Sequence, residues 1–139
     1  MFRFFIFFIC ILSACTHQTP LASHTLSSSS ASSLQGPLYF EVNDTAILDQ
    51  KLIDNNARWL KEHPDRVVIL EGHCDERGGD DFNLELGDKR ARKVMEALMT
   101  LGVPENQLII VSYGRNRPVI SNHQAEGWSK NRRVEFVIR

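Results

Sequence analysis

An arginine stands where the helical pattern calls for an apolar residue. Counting from Asn83 at 100° per residue, residues Leu84, Leu86, Ala91, Val94, Met95, Ala97, Leu98 and Leu101 share about half of a helix circumference. Glu85, Asp88, Lys89, Arg92, Lys93 and Glu96 fall on the other half. Arg90 lies inside the apolar arc, in line with Asn83 and close to Gly87 and Val94. A guanidinium on that side must be paired or solvated by something specific, because an unpaired buried charge is very costly. The nearest sensible carboxylate is Asp75, just past the apolar run that ends at Gly72, and Gly78-Gly79 lets the connecting turn approach the helix start. Two readings follow. Asp75 and Arg90 form an internal ion pair that fastens the loop, or they form a pocket for a ligand carrying both charges. In the pocket reading Arg90 takes a carboxylate through a bidentate fork, Asp75 takes an ammonium, and Asn83 donates and accepts. A free amino-acid head carries both charges on one carbon.

Other chemistries fit the same stretch less well. His73-Cys74-Asp75 suggests a thiol hydrolase, but adjacent residues of a strand point to opposite faces, so base and nucleophile would not meet. A zinc site from His73, Cys74 and a distant His63 or His123 lacks paired ligand spacing. Gly78-Gly79 lacks the lysine and the spacing of a phosphate loop. The expectation is a binding module with no catalytic residue, no cofactor and no metal. Cys10 and Cys15 belong to the N-terminal apolar run, so Cys74 has no partner cysteine within its own fold. It is expected to be a small core-facing residue, and the domain must be stable through its core.

The elements that would position these residues are legible in outline. Leu38–Val42 is a short β-type run, and Asn43-Asp44-Thr45 offers caps for a helix carrying Leu48, Leu52, Ile53, Trp59 and Leu60 as far as Pro64. Arg66–Gly72 reads as a continuous apolar strand. Asp80 or Asp81 caps the long helix, which ends at Gly102 with Pro104 beyond. Leu108–Tyr113 is a third strand, Gln124–Lys130 a short helix, and Arg133–Ile138 a closing strand. The order β-α-β-α-β-(α)-β implies an α/β two-layer sandwich, with helices on one face of a mixed four-stranded sheet.

The first 37 residues read differently. The formal net charge is −1, which argues against nucleic acid as a partner. After Arg3 the next charged side chain is Glu41. Met1-Phe2-Arg3 followed by the apolar run Phe4–Leu12 fits a secretory signal, being too short for a membrane span, which needs roughly 20 apolar residues. Leu12-Ser13-Ala14-Cys15 resembles the lipobox of bacterial lipoprotein signals, in which the cysteine thiol accepts lipid. Residues 1–14 are therefore expected to be a signal, and residues 15–37 a lipidated Cys15 plus a flexible serine-rich linker. Thr16, where an aspartate would favour the inner membrane, points to the outer membrane with the domain facing the periplasm.

Residues 38–139 resemble the OmpA C-terminal-like domain, most closely that of the peptidoglycan-associated lipoproteins. The resemblance rests on Glu71-Gly72-His73-Cys74-Asp75-Glu76-Arg77-Gly78 and on Asn83 through Ala91. It continues in Ile110-Val111-Ser112-Tyr113-Gly114 and Ser129-Lys130-Asn131-Arg132-Arg133-Val134. It implies the β-α-β-α-β-(α)-β fold and noncovalent binding of the diaminopimelate stem peptide of peptidoglycan. It also assigns roles: Asp75 holds the free amino group, Arg90 the carboxylate, and Asn43, Asn83 and Arg133 complete the site. TolB and TolA are the partners implied, with envelope integrity and cell division as the setting. The alternative is a wall-anchoring lipoprotein outside the Tol system, either a general anchor or an accessory of a secretion or motor assembly. Cys74 departs from the threonine or alanine usual there. Lys89 replaces the first of a common arginine pair, on the solvent side of the helix wheel.

Overall fold

The computed structural model describes residues 33–139. The expected signal, Cys15 and most of the serine-rich segment lie outside the described residues. Seven elements follow one another: β1 (Leu38–Tyr39), α1 (Gln50–Glu62), β2 (Val68–His73), α2 (Asp80–Thr100), β3 (Leu108–Gly114), α3 (Ala125–Asn131) and β4 (Arg133–Ile138). A short 3₁₀ turn, Glu105–Gln107, precedes β3. The strands form one mixed sheet in the order β1-β4-β2-β3, with β2 and β3 parallel and the other pairs antiparallel. The expected mixed four-stranded α/β arrangement is what forms. Among the described residues no helix is long and apolar enough to cross a membrane.

The core sits between the sheet and its helices, where Ile53 and Leu60 of α1 and Ala91, Val94 and Leu98 of α2 meet Val68, Leu70 and Val134. Along β2 the alternation sends Leu70 into this core and Glu71 to the opposite face. Helix α2 comes unusually close to the sheet. A methyl group added at Gly72 would land on the Gly87 carbonyl, and one added at Gly87 would land on the Ser112 hydroxyl. The helix ends in a paired-carbonyl cap: Gly102 has φ +89° and donates to Met99 O at 2.9 Å, while Val103 donates to Leu98 O at 3.1 Å. Glycine favours that left-handed position, and the two bonds satisfy carbonyls the helix would leave open.

Three boundaries differ from expectation. β1 is only two residues long. α1 begins at Gln50, not after Asn43-Asp44-Thr45, and its cap is Asp49, whose carboxylate accepts from Leu52 N at 2.9 Å. The Asp44 carboxylate instead closes a local turn on Thr45 N and Ala46 N, because this loop is held elsewhere. The linker also ends earlier than expected. Leu34 packs on the core, and Gln35 exchanges two hydrogen bonds of 2.7 Å with the buried Asn56 amide, so residues 34–37 belong to the fold. Asn56 finds both partners in the backbone of one residue, Gln35, which is why a polar side chain is tolerated there.

Candidate functional site

Four segments meet at the end of β2: the chain after β1, the β2–α2 connection, the first half of α2, and the residue after α3. Between them lies a cleft of about 230 Å³ lined by Val42, Asn43, Cys74, Asp75, Arg77, Gly78, Phe82, Asn83, Leu86, Arg90 and Arg132. Of the five residues expected at the site, Asn43, Asp75, Asn83 and Arg90 line it. Arg133 does not. Its guanidinium lies on the other face of the sheet, with Nε 2.6 Å from Glu135 Oε1. Arg132 occupies the cleft in its place, a shift of one residue. Val134 and Phe136 face the core, so the parity of β4 assigns Arg133 to the far face. That alternation is readable in the sequence and could have separated the two arginines.

Arg90 is fully buried, as its position on the helix required. Its partners are not those expected. Nε donates to Asp44 O at 3.0 Å, Nη1 to His73 O at 3.0 Å and to Cys74 Sγ at 3.4 Å, and Nη2 to Glu41 O at 2.9 Å. The guanidinium also lies over the Phe40 ring at 5.2 Å. Among the described residues no carboxylate pairs with it, so the expected Asp75–Arg90 ion pair does not form. A guanidinium has five N–H donors, and these contacts take four. One Nη2 hydrogen is left, so Arg90 offers a ligand one donor in this arrangement and not a free bidentate fork. Burial pulls its pKa below the ordinary arginine value, though arginine stays charged.

Asp75 is held by two other arginines. Arg77 donates its backbone N (3.1 Å) and Nε (3.0 Å) to Oδ1 and Nη2 (2.7 Å) to Oδ2, and Arg132 Nη1 reaches Oδ2 at 3.2 Å. Burial alone would raise the carboxyl pKa. The hydrogen bonds from the Arg77 side chain and backbone, and from Arg132, outweigh it and hold Asp75 below the usual carboxylate range. Arg132 is fixed by a second bond, Nε to Phe40 O at 2.9 Å. Asn83 gives its amide nitrogen to Arg77 O at 2.9 Å, which orders the loop. Asn43 has φ +53°, a conformation asparagine tolerates better than most residues.

The helical and strand patterns mark neither Arg77 nor Arg132 as a site residue. Arg77 belongs to the Asp75–Gly78 turn, where nothing in the pattern marks the direction of its side chain. The lining thus carries three guanidiniums and one carboxylate. Its charge excess is positive and invites an anion, while Asp75 gives the one site for a cation.

Cys74 is buried in the cleft wall. Its thiol donates to Asn83 O at 3.3 Å, and burial raises its pKa. It is therefore not an activated nucleophile. His73 points the other way and stacks on Tyr113 with ring centroids 5.5 Å apart. Lys89 is exposed and pairs with Glu85 at 2.6 Å, away from the cleft. Glu71, His73 and Glu135 bring ligand-type atoms within 4.8 Å of one another on the sheet's far face. Arg133 already neutralises Glu135 there, which disfavours a second cation.

The OmpA family model matches residues 39–132. A peptidoglycan-associated lipoprotein of Pseudomonas aeruginosa is 43% identical over 100 residues, covering 70% of this chain and 59% of that protein. One from Legionella pneumophila is 40% identical over 103 residues, covering 72% and 58%. The chain thus spans about three fifths of the length of these curated relatives. Among solved structures, the peptidoglycan-associated lipoprotein of Burkholderia pseudomallei superposes with TM-score 0.74 at 37% identity, covering 76% of this chain and 91% of that one. The C-terminal domain of Helicobacter pylori MotB gives 0.70 at 31% identity, covering 76% and 84%. The match runs through every element that builds the cleft, and the chain belongs to the OmpA family.

Proposed function

We propose that the cleft binds the diaminopimelate stem peptide of peptidoglycan, and that the protein ties the outer membrane to the cell wall through a lipid on Cys15. The observation that carries this reading is the charge layout: among the described residues, a buried Arg90 with no acid partner, flanked by Arg132, faces a cleft whose only acid is Asp75. A ligand with carboxylate and ammonium close together meets both needs. The names of the relatives support the same reading, since several are peptidoglycan-associated lipoproteins. On this view Asn43, Asp75, Asn83, Arg90 and Arg132 form the site, and Arg133 supports the sheet from behind. The domain is a binding module, not an enzyme, in keeping with its family.

The decisive test is Asp75→Asn, which removes the charge and keeps the shape. Sedimentation with purified diaminopimelate-type peptidoglycan is expected to fall at least tenfold, with an unchanged circular dichroism spectrum. Loss of one member of a desolvated charge contact typically costs about 2–5 kcal/mol. Undiminished sedimentation would remove Asp75 from the site. For the anchor, Cys15→Ser is expected to release the protein from the membrane fraction.

The wider role is that of the wall-binding member of the Tol system, with TolB and TolA as partners in envelope integrity and division. The likeness to the MotB domain favours one alternative, an anchor or motor accessory outside that system. Pull-down with TolB separates the two, since only the first reading requires capture.

A further inference from the structure

Asp75 is already fully engaged. A carboxylate offers about four lone-pair sites, and four N–H donors fill them: Arg77 Nε and N on Oδ1, Arg77 Nη2 and Arg132 Nη1 on Oδ2. An incoming ammonium cannot reach this carboxylate unless a resident donor leaves. The two arginines are not equally free to do so. The Arg132 side chain is 10% exposed and is pinned by its bond to Phe40 O. The Arg77 side chain is 43% exposed, and among the described residues Asp75 is the only acceptor its guanidinium has.

Arg77 also has a second contact that does not depend on Asp75. Its guanidinium lies 4.3 Å from the centroid of the Trp128 ring, and Trp128 is itself fixed by Nε1 to Glu76 Oε1 at 2.7 Å. A guanidinium over an indole face keeps a favourable contact after losing its acid. The backbone anchors would persist through such a swing, because Arg77 N still donates to Asp75 and Arg77 O still accepts from Asn83.

We infer that the Arg77 side chain is a built-in stand-in for the ligand's ammonium, occupying the cation subsite until a ligand amine displaces it from Asp75 across the face of Trp128. This rests on the wall-binding reading above and adds a specificity rule to it. A ligand with an amine replaces one cation by another at Asp75, so the carboxylate never goes unpaired. A ligand lacking the amine leaves Arg77 in place and meets a partly filled cleft. Displacement lowers the apparent affinity for every amine ligand, in the way any unfavourable pre-equilibrium does.

The test uses the full chain, titrated with a soluble diaminopimelate-containing muropeptide and with the same peptide acetylated on its free amine. Arg77→Ala and Arg77→Gln are expected to bind the amine-bearing peptide roughly two- to fivefold more tightly, the scale of a half-exposed ion pair. Neither should tighten the acetylated peptide. In the wild type, the Trp128 indole N–H resonance should shift on adding the amine-bearing peptide and not the acetylated one. Equal or weaker affinity in both variants, at unchanged melting temperature, would overturn the inference and make Arg77 neutral or a ligand contact. A gain shared by both peptides would overturn it too, since that is simple widening of the cleft. Asp75→Asn tells the two failures apart: if it binds the amine-bearing peptide like the wild type, the wall-binding reading itself fails. If it loses binding and the Arg77 variants gain nothing, only the role of Arg77 fails.

Discussion

Arg90 has a mechanical duty beside the binding role proposed for it. Its donors gather the carbonyls of Glu41, Asp44 and His73, so a single guanidinium ties the chain after β1 to the end of β2. A variant such as Arg90→Met would keep the volume and leave the His73 carbonyl short of a donor in a buried place, and those of Glu41 and Asp44 in half-buried ones. Unfolding in urea is expected to show a loss of about 1–3 kcal/mol, the cost of one buried acceptor left unmatched, since water can reach the other two. A stability equal to the wild type would show that the guanidinium is not the fastener described. It follows that loss of wall binding in an Arg90 variant cannot by itself be read as loss of a ligand contact. Asp75→Asn is the cleaner probe. The acid–base arrangement was only half legible from residue types. Helix phase identified a buried arginine and a nearby acid, but not that each is satisfied by other groups.

At the scale of elements, the cleft depends on how closely α2 lies on β2 and β3. The Gly72–Gly87 contact sets that distance and so places Asn83 and Arg90 over the end of β2. Gly87→Ala is favourable by helix propensity, by about 1 kcal/mol. Overpacking against Ser112 and the Gly72 backbone works against it and typically costs about 1–3 kcal/mol. Because the obstacle at Gly72 is backbone, the steric cost is expected to win. The variant should melt at a lower temperature and bind wall more weakly, since the helix is pushed off the sheet. A melting temperature at or above the wild type would mean that Ser112 simply rotates away. The elements themselves follow from local pattern: α2 from its arc and its Gly102 stop, β2 from its apolar run. The start of α1 does not, because Asn43, Asp44 and Asp49 are all competent caps. Asp49 is the one used, while Arg90 holds the Asp44 carbonyl in the loop.

For the whole molecule the sharpest expectation concerns acid. His73 is buried, and that desolvation, with Arg133 and Arg117 nearby and Glu135 partly opposing them, lowers its pKa from 6.5 to about 4. Between those values the unfolded chain takes up a proton that the folded chain refuses, so stability falls as pH drops from 6.5 to about 4. The full effect is at most roughly 3 kcal/mol. Asp75 acts lower down. Its pKa is depressed from 3.8, so its contribution is complete above that value and is lost as pH falls below it. Urea midpoints measured from pH 7 to pH 4 are expected to decline in the wild type and to decline less in His73→Gln. Equal slopes in the two proteins would mean that His73 is not held neutral by the fold.

The sequence by itself determined the order of strands and helices along the chain, the burial of an arginine on α2, and the meeting of Asp75, Asn83 and Arg90 near the end of β2. Hydrophobic period and side-chain type carry that information, and both are local. Tertiary structure alone decided which groups pair. Arg90 bonds to carbonyls from positions 46 and 49 residues away in the chain, and Asp75 takes an arginine 57 residues away as well as one at its own turn. Every residue carries a carbonyl, so no residue type announces that its oxygen will serve a distant guanidinium. Only folding, which brings those backbone segments within 3 Å of the buried charge, makes the selection.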